Sequence, residues 1–358
     1  MKLVHIVGAR PQFIKMAVVS RAWRKCGEEV ILHTGQHYDV RMSQQFFDEL
    51  SIPAPNINLE VGSGSHAQQT AAMLLGIESE LGNIKPDAVL VYGDTNTTLA
   101  GALATAKMNV PLGHVEAGLR SFNRQMPEEI NRVVTDHLAN LLFCPTQQAI
   151  DNLQHEGIDT GAYLVGDVMA DALFHYQSLA EKKSTIFKEL AVSPRSYILL
   201  TLHRSGNVDD KDRLNGIIYA MKHIDKLIVF PMHPRTQKML SQFQIELPAN
   251  VRAIKPVGYL DMLNLQANAQ LILTDSGGIQ KEAYLQAVPC ITLREETEWV
   301  ETVEAGWNCL AGTSSATIIE KVRNFTTPQE RPALYGDGNA AEKITDILVN
   351  LQTTTKED

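Results

Sequence analysis

The sequence predicts an α/β fold: two doubly wound domains facing across a cleft. Two observations carry that expectation. Short apolar runs alternate with segments of helical spacing along the whole chain, a pattern that calls for a parallel sheet with helices on both faces. The same alternation starts afresh at Tyr197, after a charged stretch around Lys182 and Lys183. A length of 358 residues also suits two domains.

In the first half, Leu3 to Val7 reads as a buried strand, and Gly8-Ala9-Arg10-Pro11 as the turn after it. Pro11, at a first helical position, opens a helix to about Lys25. Val30 to His33 is the second strand; the polar loop Thr34 to Asp39 leads into a helix ending near Leu50. Gly62-Ser63-Gly64-Ser65 is a flexible loop ahead of a helix from His66 to Leu81, and no Lys-Ser/Thr follows it as a phosphate loop would require. Ala88–Tyr92, Leu112–Val115, Leu141–Cys144 and Ala162–Val165 are further strands. Helical patterns follow Gly93-Asp94-Thr95, Pro127 and Thr146.

Met169 to Lys183 reads as a helix running into the linker. The second set of strands is Tyr197–Leu202, Lys226–Phe230, Val251–Ile254, Gln270–Thr274 and Pro289–Leu293. Helices begin near Asp209, Arg235, Tyr259, Gly277 and Glu298, with a last one from about Asn339 to Leu351. The division expected is 1–167 and 168–338.

Composition narrows the function. Hydrophobic residues make up 44% and charged ones 20%, ordinary for a globular protein. The net charge of −9 argues against nucleic acid or an anionic membrane as the main partner. No run approaches the length of a membrane span, and the short apolar stretch after Lys2 does not make a signal peptide. Cys26, Cys144, Cys290 and Cys309 stand singly in mostly apolar surroundings, with no metal-binding spacing. They read as buried thiols of a cytoplasmic protein.

The chemistry concentrates between Asp87 and Glu129. Asp94 follows one strand, Glu116 ends the next, and Glu128 opens a helix after Pro127. In an open α/β sheet, ligands sit beyond the carboxyl ends of the strands, where acids can exchange protons with them. Arg10 and Lys15, beside a helix N-terminus, form a candidate anion site; Lys15 taken alone also fits a solvated helix residue. In the second half, Asp275-Ser276-Gly277-Gly278 stands between a strand and a helix. Its glycines permit close backbone approach and its helix N-terminus suits a diphosphate, although such a turn can be purely structural. Glu282, further along, could accept from ribose hydroxyls. His203, at another strand end, could donate to a phosphate or be an ordinary surface histidine. His5 and His233 read as structural. The scattered His and Asp residues show no metal-ligand spacing.

Taken in order, Gly8-Ala9-Arg10-Pro11 with Lys15, Gly93-Asp94-Thr95, His114-Val115-Glu116-Ala117-Gly118-Leu119-Arg120, Pro127-Glu128-Glu129 with Asn131-Arg132, His203-Arg204, and Asp275-Ser276-Gly277-Gly278-Ile279-Gln280 with Glu282 closely resemble the non-hydrolysing UDP-N-acetylglucosamine 2-epimerase family. Each motif is ordinary by itself; the series is specific. The resemblance implies two Rossmann-like domains of glycosyltransferase-B type, the last helix packing back on the first. It implies inversion at C2 of a UDP-linked 2-acetamido sugar without metal or nicotinamide. UDP is eliminated to leave a 2-acetamidoglucal and then adds back. Asp94, Glu116 and Glu128 match the family's catalytic carboxylates, and His203 its catalytic histidine. Arg10, Lys15, Arg132, Arg204, Ser276, Gly277, Gly278, Gln280 and Glu282 match positions at the substrate. A cytoplasmic homodimer that supplies bacterial surface polysaccharide precursors, lipopolysaccharide O-antigen among them, is the further implication.

Two departures matter. Many relatives have Gln-His-Arg after the second strand, where it helps form an activating second UDP-sugar site; here Gln36-His37-Tyr38-Asp39 lacks the arginine. The segment Glu296-Thr297-Glu298-Trp299-Val300-Glu301 replaces a Thr-Glu-Arg-Pro-Glu motif and resembles the branch acting on UDP-2,3-diacetamido-2,3-dideoxyglucuronate. Rival readings are a glycosyltransferase of the same fold, a hydrolysing 2-epimerase and a UDP-sugar sensor.

Overall fold

A computed structural model describes residues 1–36 and 52–354, with the side chains of 351–354 left aside. The expected helix ending near Leu50 and the His37-Tyr38-Asp39 departure lie outside the described residues. The chain divides into two compact units, Met1–His175 with Leu334–Asp358, and Tyr176–Ala333. The division falls within the helix Val168–Lys183, past the residue 167 expected from the sequence.

The first unit holds a parallel sheet of seven strands: β1 (Lys2–Val7), β2 (Glu28–His33), β3 (Ile57–Asn58), β4 (Ala88–Tyr92), β5 (Leu112–Val115), β6 (Leu141–Cys144) and β7 (Ala162–Leu164), in the order β3-β2-β1-β4-β5-β6-β7. Strand β1 lies between β2 and β4, with His5 paired to Ile31 on one side and Leu90 on the other. The winding reverses between β1 and β4, so Gly8 and Gly93 leave the sheet side by side at its switch point. The central strands carry apolar side chains on both faces because helices cover both. Val4, Ile6, Val89 and Val91 pack against Met73 and Ile77 of helix His66–Ile84 on one side.

Local signals set where helices begin. Helix α1 (Arg10–Trp23) has Pro11 in its first turn, where the missing N–H would have had no partner. Ser65 opens α2 (His66–Ile84) in a capping box with Gln68. Thr95 caps α3 (Asn96–Lys107) by accepting from the Thr98 amide. Pro127 begins α4 (Pro127–Leu138). The C-terminal helix Ala340–Thr354 packs against α1.

The second unit repeats the plan with six parallel strands: β8 (Tyr197–Thr201), β9 (Leu227–Pro231), β10 (Val251–Ile254), β11 (Leu271–Thr274), β12 (Cys290–Thr292) and β13 (Asn308–Leu310), in the order β10-β9-β8-β11-β12-β13. Alternate residues serve opposite faces: Leu200, Phe230 and Leu273 join one core, and Leu199, Val229 and Ile272 the other. The switch point falls between β8 and β11, and His203 and Asp275 emerge there.

Among the described residues, the short helices Ile186–Leu190 and Ser205–Val208 are not expected from the sequence, nor are three further elements. Strand β3 spans two residues, β13 three, and helix Ser315–Asn324 follows a Ser314 cap; the two strands are too short to show a period. One expectation fails. Cys26 is exposed and Cys309 partly so, while only Cys144 and Cys290 are buried. Cys26 lies in the turn that follows α1, past the last buried turn of that helix. Among the described residues, no helix is long and apolar enough to cross a membrane.

Candidate active site

In the first unit, the sheet order brings the ends of β1, β4 and β5 and the start of α4 together. Gln12 links two of these segments: its carbonyl oxygen accepts from the Gly8 and Ala9 amides (2.8 and 3.0 Å), and its amide donates to the Tyr92 carbonyl (2.9 Å). Lys15, one turn further along α1, pairs with the Glu116 carboxylate, and both side chains are 9% exposed. The solvated reading of Lys15 is thereby replaced: it faces a buried anion from another strand.

Glu116 itself adopts a left-handed backbone, φ 73°, a conformation costing a non-glycine residue about 1 kcal/mol. Two hydrogen bonds hold it there, the Glu116 and Ala117 amides both donating to the Phe143 carbonyl at 3.1 Å. Gly93 is also left-handed, φ 62°. A Cβ at Gly93 would lie 3.0 Å from Lys15 Nζ and 3.3 Å from Glu116 Oε2, so the residue before Asp94 runs directly beneath that ion pair.

Asp94 is fixed from α4. The Arg132 guanidinium donates to its carboxylate, and the Asn131 amide donates to its backbone carbonyl (2.9 Å). Arg132 also donates to Glu129 (2.6 Å). Glu129 further accepts from the Ser121 and Phe122 amides at 3.0 and 2.9 Å and from the Ser121 hydroxyl at 3.0 Å. Burial alone would raise the Glu129 carboxyl; the Ser121 and Phe122 amides, the Ser121 hydroxyl and Arg132 outweigh it and hold the group below the usual carboxylate range. Glu128, half-buried, is its helical neighbour and faces a different direction. The two adjacent glutamates therefore divide: Glu129 pins the loop ahead of the helix, and Glu128 lies on another face of it. Arg10, at the first position of α1, is also half-buried.

In the second unit, His203 and Arg204 follow β8. Asp275, fully buried at the end of β11, accepts from both their amides at 3.0 and 2.9 Å, and lies 3.2 Å from His203 Nδ1. Burial would raise the Asp275 carboxyl, but His203 and these amides hold it low. The His203 ring is 41% exposed, so Asp275 orients Nδ1 while Nε2 stays available. The turn Ser276-Gly277-Gly278 opens helix Gly277–Leu285. A Cβ at Gly278 would meet nothing within 4 Å, whereas one at Gly277 would lie 2.2 Å from Glu298 Oε1. Glu298 in turn faces Arg294 at 3.0 Å and Arg204 at 3.8 Å.

Gln280 and Glu282, both expected at the substrate, are buried and hydrogen-bonded within the second unit. Gln280 is fully buried, its carbonyl oxygen accepting from the Thr297 hydroxyl (2.7 Å) and the Asn308 amide (3.1 Å). It holds the 297 segment to the helix. Glu282 is buried and accepts from the Gln266 amide at 2.8 Å. His233 caps the helix Pro234–Phe243 by accepting from the Arg235 amide at 3.1 Å, the structural role expected of it.

The sequence assigns no role of their own to Gln12, His114, Asn131, Asp136, Asp275 and Glu298, and it names Glu129 only beside Glu128. One signal was present: Glu128, Arg132 and Asp136 recur every fourth residue, one face of a helix.

The sequence model of a family described as UDP-N-acetylglucosamine 2-epimerase matches residues 22–349. A UDP-N-acetylglucosamine 2-epimerase homolog of Methanococcus maripaludis is 54% identical, over 98% of this chain and 100% of its own. The UDP-2,3-diacetamido-2,3-dideoxy-D-glucuronate 2-epimerase of Pseudomonas aeruginosa is 46% identical, with the same coverage of both chains. The crystal structure of Methanocaldococcus jannaschii UDP-GlcNAc 2-epimerase in complex with UDP-GlcNAc and UDP superposes with a TM-score of 0.93 at 45% identity, covering 98% of this chain and 100% of that one.

Proposed function

This chain belongs to the UDP-N-acetylglucosamine 2-epimerase family, and from that premise we propose that it inverts C2 of a UDP-linked 2-acetamido sugar without hydrolysing it. In the first step a base takes the C2 proton while the bond from C1 to the UDP oxygen breaks, giving a 2-acetamidoglucal and UDP. In the second, UDP adds back to C1 and a proton reaches C2 from the opposite face. Asp94, Glu116 and Glu128 move these protons. The Lys15 cation pairs with Glu116, and the Arg132 guanidinium donates to Asp94. Within the second unit, His203, Arg204, Ser276, Gly277 and Gly278 are the groups for a diphosphate.

The carrying observation is at Gly93: the residue before Asp94 lies against the Lys15–Glu116 pair, and Asp94 is bonded by Arg132 from α4, the helix that carries Glu128. Acids carried on neighbouring segments suit proton transfer at C2, whereas glycosyl transfer happens at C1.

Incubation with UDP-N-acetylglucosamine in deuterium oxide tests this reading. Deuterium should enter C2 of both epimers with no acceptor present. Free N-acetylmannosamine with UDP would instead identify a hydrolysing enzyme, and no exchange into any UDP-sugar would remove the epimerase reading.

A narrower reading has its own support. Thr297-Glu298-Trp299 and the 46% identity to the Pseudomonas enzyme favour UDP-2,3-diacetamido-2,3-dideoxyglucuronate as the sugar. Turnover of UDP-N-acetylglucosamine alone would reject it. The family resemblance supports a cytoplasmic homodimer in surface polysaccharide precursor supply. Native mass spectrometry showing monomer alone would reject that assembly.

A further inference from the structure

Behind the acids of the first unit lies a buried charged set. His114, on β5, is fully buried. Its Nδ1 lies 2.6 Å from the Asp136 carboxylate and its Nε2 2.7 Å from the Gly93 carbonyl oxygen. Both partners are acceptors. A neutral imidazole has one N–H and would satisfy one of them, leaving the other facing a lone pair. An imidazolium satisfies both. The alternative, a neutral ring accepting from a protonated Asp136, would leave a neutral carboxyl beside Arg120, whose Nη1 donates to Asp136 at 2.7 Å. Arg120 is completed by Glu156 through two bonds of 2.7 and 2.8 Å. The signs alternate from His114 through Asp136 and Arg120 to Glu156. The set is neutral as a whole, the condition under which charges tolerate burial.

The same set touches every segment that carries a proposed acid. Gly93 donates its N–H to the Val115 carbonyl (3.0 Å) and accepts from His114, so β5 clamps the turn before Asp94 at both polar groups. Asp136 also accepts from the Gly118 amide at 3.1 Å, two residues past Glu116. Asp136 itself lies on α4, the helix that begins beside Glu128. We propose that His114 is held as an imidazolium and that His114 and Asp136 form a positioning pair, setting Asp94, Glu116 and Glu128 relative to one another. The assignment rests on the reading of those three as acid–base groups. Neither member of the pair touches substrate; they act through the backbone that carries the acids.

Two measurements test it. The first needs no activity: nitrogen NMR of the natural protein labelled with ¹⁵N-histidine, with His114 identified by the signals lost in His114→Gln. Both ring nitrogens should be protonated at about pH 7.5, and a bare nitrogen on His114 overturns the proposal. The second is turnover per UDP-binding site. His114→Gln and Asp136→Asn should lower kcat about 10²-fold, the scale for a misplacement near 1 Å, with KM and UDP affinity within about 3-fold. A kcat within about 3-fold of the natural protein in both variants also overturns it. Should the natural protein epimerise no UDP-sugar, the functional reading fails by itself, and the NMR result still decides the charge state of the pair.

Discussion

Lys15 and Glu116, far apart in sequence, form an ion pair with both side chains almost excluded from solvent, directly over the glycine that precedes Asp94. Replacing Lys15 takes away the cation bonded to a carboxylate that is almost excluded from solvent. Lys15→Met should therefore destabilise the protein by about 3–5 kcal/mol and abolish most turnover. Adding Glu116→Gln to it should restore much of the stability and none of the activity. Thermal unfolding of the two single variants and the double variant checks this; equal melting temperatures across the cycle would mean the pair is not formed in solution.

Glu128 and Glu129 should separate function from folding. Glu128→Gln should cost at least ~10²-fold in turnover, the low end for general acid–base catalysis, with the melting temperature unchanged. Glu129→Gln should instead lower stability by about 1–3 kcal/mol, since it weakens a carboxylate accepting from two amides, a hydroxyl and a guanidinium. The folded carboxyl is held below its free value, so its contribution is present above the unfolded pKa and is lost as pH falls through the folded one. The stability gap between natural protein and Glu129→Gln should accordingly close in acid. A gap independent of pH, or a larger activity loss for Glu129→Gln than for Glu128→Gln, would reverse the division.

Asp171 predicts the opposite slope. It accepts from the Ala341 amide at 2.8 Å at the start of the C-terminal helix. Burial pushes its carboxyl up to about 6, against the Ala341 and Ala340 amides, which lower it. The folded state then holds a proton that the unfolded state releases at lower pH, so this group costs stability as pH rises from about 4 to about 6. Asp171→Asn keeps an acceptor oxygen and has no charge to desolvate. Its melting temperature relative to the natural protein should rise across that window and level off above it. A difference that shrinks with rising pH would contradict the sign.

Gly278→Ala isolates the turn of the second unit. A Cβ there meets nothing within 4 Å, so folding should be untouched. If the turn receives the diphosphate, the added methyl stands where the ligand must approach, and UDP should bind at least ~10-fold more weakly, about 1.4 kcal/mol. Calorimetric titration with UDP reads this directly; unchanged affinity would place the diphosphate elsewhere.

The sequence by itself determined the two parallel α/β sheets, since runs such as Ala88–Tyr92 and Leu271–Thr274 are apolar at every inner position and stop at Gly- or Ser-containing turns. It also named Asp94, Glu116 and Glu128 as candidate acids, because residues at strand ends are marked by where the apolar run stops. Only the tertiary structure decided which partners the polar residues bond to. Glu128 and Glu129 are equivalent in composition and adjacent in the chain, yet one helical step separates a pinned carboxylate from the other. Gln280 is bonded to Thr297 and Asn308, and Glu282 to Gln266, partners that no local pattern announces. The physical reason is that period and turn chemistry are local, whereas a buried charge or amide is satisfied by whatever partner the sheet order brings beside it, as β5 brings His114 to Gly93.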